Sequence, residues 1–190
     1  MRHAFALFPT AVGTCAIVWS QRGIAAVRLQ DKDEAATGAR VRRRWPEALR
    51  ELPPAGVDLA VRDMTRLLAG EPVDLGRITL DMAGVPEFDR RVYEIARTIA
   101  PGETLTYGEV AGRLGDPGAA RAVGQALGQN PFAIVVPCHR VLAAGGKSGG
   151  FSARGGVTTK LRMLSIERAR TSGAPTLFDA HGGLPLVASR

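Results

Sequence analysis

Phe132-Ala133-Ile134-Val135-Val136-Pro137-Cys138-His139-Arg140 is the stretch from which the rest of the chain is read. Its first five residues form a short, β-branched apolar run flanked by prolines, which predicts a buried strand. Pro137 ends that strand, because it has no amide hydrogen to give to a ladder. A cysteine and a histidine follow directly. A thiol beside an imidazole at the mouth of a buried strand is a candidate activated nucleophile. The pair also has a bland reading, since most lone cysteines are small buried hydrophobes and most Cys-His neighbours are accidental. Two residues elsewhere can support a nucleophile: Asn130, just upstream, and Glu167, in a later helix.

The chain of 190 residues has room for one sizeable domain or two small ones packed together. Its hydrophobic and charged fractions are those of an ordinary soluble protein. The net charge of +7 permits a polyanionic partner without demanding one. Two cysteines exclude a disulfide framework, and three histidines give no zinc pattern. No metal or other cofactor is expected. The apolar start, Ala4-Phe5-Ala6-Leu7-Phe8, imitates a signal peptide but is interrupted early by Pro9, Thr10 and Gly13. We therefore expect no signal peptide and no membrane span, hence a cytoplasmic protein.

Working outward toward the N-terminus, Gly13 to Trp19 and Ile24 to Leu29 are two β-like runs joined by a hairpin turn at Ser20-Gln21-Arg22-Gly23. Cys15 lies in the first run and reads as a buried small apolar side chain. Asp31 to Trp45 predicts a short charged helix whose arginines form a solvated face. Val57 to Ala69 has amphipathic helical spacing with Gly70 as its stop. Ile78 to Met82 reads as a strand. These pieces suggest a small α/β domain of structural role over residues 1–85.

A second, mostly helical domain is expected over residues 86–170. Phe88, Val92, Ile95, Ala96 and Ile99 fall on one face of a helix. Thr106 with Glu109 three residues later is a capping box, so a helix should start at Tyr107 and end near Gly115. Asp116-Pro117 starts the next helix, with Asp as N-cap and Pro at the first helical position. Two short helices joined by a tight turn make a helix-turn-helix. In the second, which carries Arg121, Ala119, Ala120, Ala122, Gly124 and Ala126 are all small. Such a helix either packs tightly in the core or presses into a nucleic-acid groove. By the same physics, Tyr107 is a core aromatic or a contact residue, and Arg121 a simple phosphate contact. Val157 to Arg170 predicts a final helix.

Arg121 to Pro131, followed by Ile134 to Val141 with its Pro-Cys-His-Arg core, closely resembles the active-site region of the O6-alkylguanine-DNA alkyltransferases, the methylated-DNA–protein-cysteine methyltransferases. The resemblance covers roughly residues 88–168. It implies an α/β N-terminal domain plus a mostly helical C-terminal domain containing a helix-turn-helix. It implies double-stranded DNA carrying O6-alkylguanine as partner, with O4-alkylthymine as a further substrate, and a monomer that can bind DNA cooperatively. On that resemblance Cys138 takes the alkyl group, His139 removes its proton, Glu167 orients His139, and Asn130 braces the turn. Arg121 fills the gap left by an extruded base, and Tyr107 presses on the backbone phosphate. Ala120, Gly124 and Arg140 join them at the DNA. Phe151, Ser152 and Val141 line the alkylguanine pocket. The loop from Gly145 to Gly156 departs from the family pattern Gly-Tyr-x-Gly-Gly. Phe151 is its only aromatic, and it lacks a hydroxyl to help the leaving group.

The thioether formed on Cys138 would have no nearby group to hydrolyse it, so the family's chemistry is single-use. One rival is a non-catalytic lesion sensor or helix-turn-helix binding module, against which the presence of Cys138 argues. The other is a hydrolytic cysteine enzyme, which would turn over. The tail, residues 171–190, is expected to be flexible. Its apolar cluster, Pro175 to Asp179, loosely resembles bacterial sliding-clamp ligands or folds back on the domain.

Overall fold

The computed structural model describes residues 2–169. The tail and its 175–179 cluster lie outside the described residues.

The N-terminal half is built on a four-stranded sheet in the order β3-β2-β1-β4. Strands β1 (Ala4–Thr10), β2 (Gly13–Ser20) and β3 (Gly23–Arg28) form antiparallel hairpins, and β4 (Leu49–Arg50) pairs parallel to β1. The expected hairpin around Gln21-Arg22 is present. Strand β1 is an addition to the sequence reading, which stopped the apolar run at Pro9. Pro9 is tolerated because β4 pairs only with Ala4 and Phe5, so no ladder on that side needs its missing amide hydrogen.

Helix α1 (Glu34–Arg44) covers one face of the sheet and α2 (Ala55–Leu68) the other. The period-two alternation of β1 explains this: Phe5 faces Val41 and Ala48, while Ala4, Ala6 and Phe8 join Met64, Leu67 and Leu68. Asp33 caps α1 by accepting from the Ala36 amide at 2.8 Å.

The expected strand at Ile78–Met82 is reduced to a single bridge between Leu80 and Ile24. The Asp81 carboxylate ends the pairing. It accepts from Ser20 Oγ at 2.7 Å, Arg22 Nε at 3.0 Å and the Ala83 amide at 3.1 Å, which bends the chain away.

The C-terminal half packs α3 (Glu87–Arg97), α4 (Tyr107–Arg113) and α5 (Ala120–Gly128) around Val92, Val110, Val123 and Phe132. The capping box of α4 is complete: Thr106 Oγ1 accepts from the Glu109 amide, and Glu109 accepts from the Thr106 amide. A short 3₁₀ turn, Pro117–Ala119, capped by Asp116, leads into α5. Together α4 and α5 form the helix-turn-helix. Tyr93 donates from its hydroxyl to the Ala126 carbonyl at 2.9 Å and pins α5 against α3. A final helix, α6 (Gly156–Ile166), closes the fold. No helix among the described residues is long and apolar enough to cross a membrane.

Candidate active site

The predicted strand before Cys138 is a buried turn. Phe132 makes one parallel bridge to Val27 of β3, and the chain then folds back so that the Val136 amide donates to the Phe132 carbonyl at 2.8 Å. Asn130 is the cause. Its Oδ1 accepts from the Phe132 amide at 2.8 Å, and its Nδ2 donates to the Val136 carbonyl at 2.9 Å. One side chain takes both bonds that a neighbouring strand would have made. Ile134 sits at φ 73°, a left-handed conformation that costs a β-branched residue roughly 1–2 kcal/mol. Burial of its side chain against the sheet core offsets that strain.

The turn is held at both ends. On the N-terminal side, the Val27 amide donates to Pro131 and the Ala133 amide donates to Val27. On the C-terminal side, β6 (Val141–Leu142) pairs parallel with β5 (Leu105–Thr106), directly ahead of α4. Cys138 to Arg140 form a 3₁₀ turn between these anchors. The fold therefore sets the thiol at a fixed position relative to the helix-turn-helix.

Behind Cys138 lies a buried network centred on Glu167, the residue that caps the C-terminus of α6. Its carboxylate meets His139 Nε2 at 3.0 Å and accepts from Arg140 Nε and Nη2, both at 2.8 Å. Burial opposes the charge on Glu167, but the hydrogen bonds and charges of His139 and Arg140 outweigh it and hold the carboxyl at about 2. Burial pulls His139 below its ordinary value, with Glu167 opposing, so the imidazole rests neutral at pH 7. A carboxylate only accepts, so Nε2 carries the proton and Nδ1 presents a lone pair. Nδ1 is buried and has no hydrogen-bond partner among the described residues. It is a base without a proton to hold.

Cys138 keeps an exposed edge in an open cleft, with protein around the rest of it. This desolvation pushes the thiol up. Asn130, the charge of Lys160 and the amides of Cys138 and His139 pull the other way. The resting group is a thiol, and its nucleophilic form requires a base.

Several residues differ from their expected places. Arg140, expected at the DNA, is buried on Glu167 and donates from Nη1 to the Ile99 carbonyl at 2.6 Å. Its guanidinium is committed inside the protein. Val141, expected in the pocket, is fully buried away from the cleft, and its carbonyl accepts from Lys160 Nζ at 2.6 Å. Phe151 and Ser152 line the cleft with Cys138. Tyr107 is half-buried at the start of α4. An added Cβ on Gly149 (φ 65°) would lie 3.1 Å from its hydroxyl, so the glycine-rich loop closes directly onto this ring. Arg121 is exposed on α5, with Ala120 and Gly124 half-buried on the same helix.

Lys160 has no site role in the sequence reading. It is fully buried on α6, 5.9 Å from the Tyr107 ring centre, and has no carboxylate partner among the described residues. Burial lowers it to about 8, with the charge of Cys138 opposing. A lone lysine on a helix normally reads as surface, and no local pattern marks this one.

Fold and site together define a helix-turn-helix protein whose cleft holds a cysteine next to a buried histidine–glutamate pair. The profile of the 6-O-methylguanine DNA methyltransferase DNA-binding domain matches residues 87–169. A methylated-DNA–protein-cysteine methyltransferase of Mycolicibacterium paratuberculosis is 49% identical over 120 residues, covering 63% of this chain and 70% of the relative. The crystal structure of Mycobacterium tuberculosis O6-methylguanine methyltransferase superposes with a TM-score of 0.70 at 34% identity, covering 93% of this chain and 99% of that one. The same organism's protein in complex with DNA superposes at 0.69 with 30% identity, covering 91% and 96%. The chain belongs to the methylated-DNA–protein-cysteine methyltransferase family.

Proposed function

We propose that the chain repairs DNA by moving the alkyl group of O6-alkylguanine onto its own Cys138, once per molecule. The alkyl transfer itself comes with the family; the assignment of residues and lesion is our reading. The observation that carries it is the buried sequence Cys138, His139, Glu167, in which a thiol that needs deprotonation sits beside a neutral imidazole backed by a carboxylate.

The steps follow from that geometry. The lesion must leave the duplex to reach the thiol, at a cost of a few kcal/mol that is smaller for a damaged base. The exposed Arg121 on α5 enters the gap, and Tyr107 at the start of α4 bears on the backbone. His139 Nδ1 takes the thiol proton, through a water, and Glu167 stabilises the imidazolium that results. The sulfur forms its bond to the alkyl carbon as the bond from that carbon to O6 breaks. The departing guanine takes up a proton from solvent, and the imidazolium gives its own back to solvent, which returns His139 to neutral. The product is a thioether on Cys138, and no group in the cleft can cleave it.

DNA is the partner, bound through the helix-turn-helix, with residues 86–170 carrying binding and transfer. Residues 1–85 serve as the scaffold to which the Cys138 turn is pinned at Val27. Arg140 acts as a positioning residue that holds Glu167, and Asn130 as the brace of the turn. The protein acts as a monomer.

A titration tests this reading. Increasing amounts of protein are added to a fixed amount of duplex bearing one O6-methylguanine, and restored guanine is counted. One repaired lesion per protein molecule is expected. Several repaired lesions per molecule would point to the hydrolytic class instead.

A further inference from the structure

The Cys138 cleft is lined from the N-terminal half by Arg28 and Arg40 and from the glycine-rich loop by Phe151 and Arg154. Arg28 ends β3, directly after the Val27 that pins the active-site turn. It is half-buried, and among the described residues its guanidinium has no hydrogen-bond or carboxylate partner. The nearby acid, Asp31, is already shared between Arg40 at 3.3 Å and Arg154 at 3.4 Å. Arg44, one turn further along α1, adds another positive charge to the group. Burial, and then the charges of Arg40 and Arg44, lower the proton affinity of Arg28. Arginine nevertheless stays protonated, so the cleft keeps an uncompensated cation.

A half-buried guanidinium facing like charges is unfavourable unless something negative meets it. Its planar fork matches the oxygen pairs of phosphate and carboxylate groups. The position narrows the ligand further, because what enters this cleft is what reaches Cys138.

We propose that Arg28, with Arg40 beside it, is an anion subsite of the Cys138 cleft that takes an oxyanion carried by the lesion-bearing DNA strand. The proposal rests on the reading of Cys138 as the alkyl acceptor. It gives the N-terminal half a direct part in recognition. The oxyanion has two sources on such a strand: a backbone phosphodiester next to the extruded nucleotide, or a carboxylate on the alkyl group itself.

The test compares wild type, Arg28→Gln, Arg28→Lys and Arg40→Gln, all full-length and checked by thermal unfolding. Transfer rates and binding are measured on duplexes bearing O6-methylguanine or O6-carboxymethylguanine, across a salt series. Reaction with free O6-benzylguanine, which carries neither phosphate nor carboxylate, reports on Cys138 alone. If the phosphate is the ligand, Arg28→Gln weakens binding of both duplexes about tenfold and lowers the slope of log affinity against log salt by about one. If the adduct carboxylate is the ligand, only the carboxymethyl duplex slows, and Arg28→Lys recovers part of the loss in either case. Changes below about twofold on both duplexes would overturn the proposal. So would an equal fall in the free-base reaction, because Arg28 would then be acting on the thiol. Arg40→Gln, at an exposed position, should show the same pattern more weakly and decides the matter if Arg28→Gln unfolds. Failure of wild type to transfer the methyl group would refute the acceptor reading, and the binding series would still judge Arg28.

Discussion

The two cysteines of this chain occupy opposite environments. Cys15 lies in the middle of a regular ladder, paired with Phe8, fully buried among apolar side chains. Burial pushes its thiol up to about 11, with a hydrogen bond to Thr10 only partly opposing. Among the described residues no neighbouring charge acts on it. Cys138 lies in an irregular turn, beside a neutral imidazole, a buried carboxylate and a buried lysine. The comparison shows that burial alone disarms a thiol. On the proposed reading, reactivity at Cys138 comes from the polar network beside it, held by a turn with a strained backbone at Ile134.

The largest expected effect is at the nucleophile. Cys138→Ser should abolish transfer while keeping lesion binding, whereas Cys15→Ala should transfer at the wild-type rate; a transfer assay beside a binding assay separates the two. Next is the network. Glu167→Ala removes the partner of both His139 and Arg140 and leaves the guanidinium buried. Transfer should fall about 10²–10⁴-fold, and urea unfolding should show a loss of about 3–5 kcal/mol.

Acid sharpens the same contrast. The folded Glu167 carboxyl lies at about 2 against an ordinary 4.5, so its stabilisation is complete above 4.5 and is lost as pH falls toward 2. The loss is on the order of 3 kcal/mol. His139 adds to it with the same sign: it is lowered in the fold, so the unfolded chain binds the proton more readily below its ordinary value of 6.5. Urea midpoints measured from pH 7 to pH 3 should fall in wild type and fall less in Glu167→Gln.

Smaller effects follow at the brace and in the ladder. Asn130→Ala strands the buried Phe132 amide, while the Val136 carbonyl keeps its bond from the Cys138 amide, and should cost about 1–3 kcal/mol. Transfer should fall with it, because the turn then has no substitute for the missing strand partner. Cys15→Ala should cost only about 1 kcal/mol, measured as a shift in unfolding midpoint.

Much of this was legible in the chain. Thr106 with Glu109 and Asp116 with Pro117 are local signals: α4 starts where the first pair puts it, while the second pair opens a 3₁₀ turn and α5 itself begins three residues later, at Ala120. The Pro-Cys-His-Arg motif and the later Glu167 pointed to the same cluster that the structure assembles. The turn itself was hidden. Five apolar residues between prolines read equally as a strand or as any other buried segment, and only the two side-chain bonds of Asn130 separate them. Pro9 concealed β1 for the reverse reason, since the missing amide hydrogen matters only if a neighbour needs it. Arg140 and Lys160 were misplaced or missed because long cations are assigned to surfaces by default, and their burial depends on Glu167 and on a carbonyl from a distant segment.

The central claim is that Cys138, and not Cys15, receives the alkyl group. Intact-protein mass spectrometry after mixing with duplex DNA bearing one O6-methylguanine tests it directly, with peptide mapping to locate the change. We expect a stable gain of one methylene per chain, located on Cys138 and lost in Cys138→Ser. A gain located on Cys15, or restored guanine without any gain in protein mass, would contradict the account.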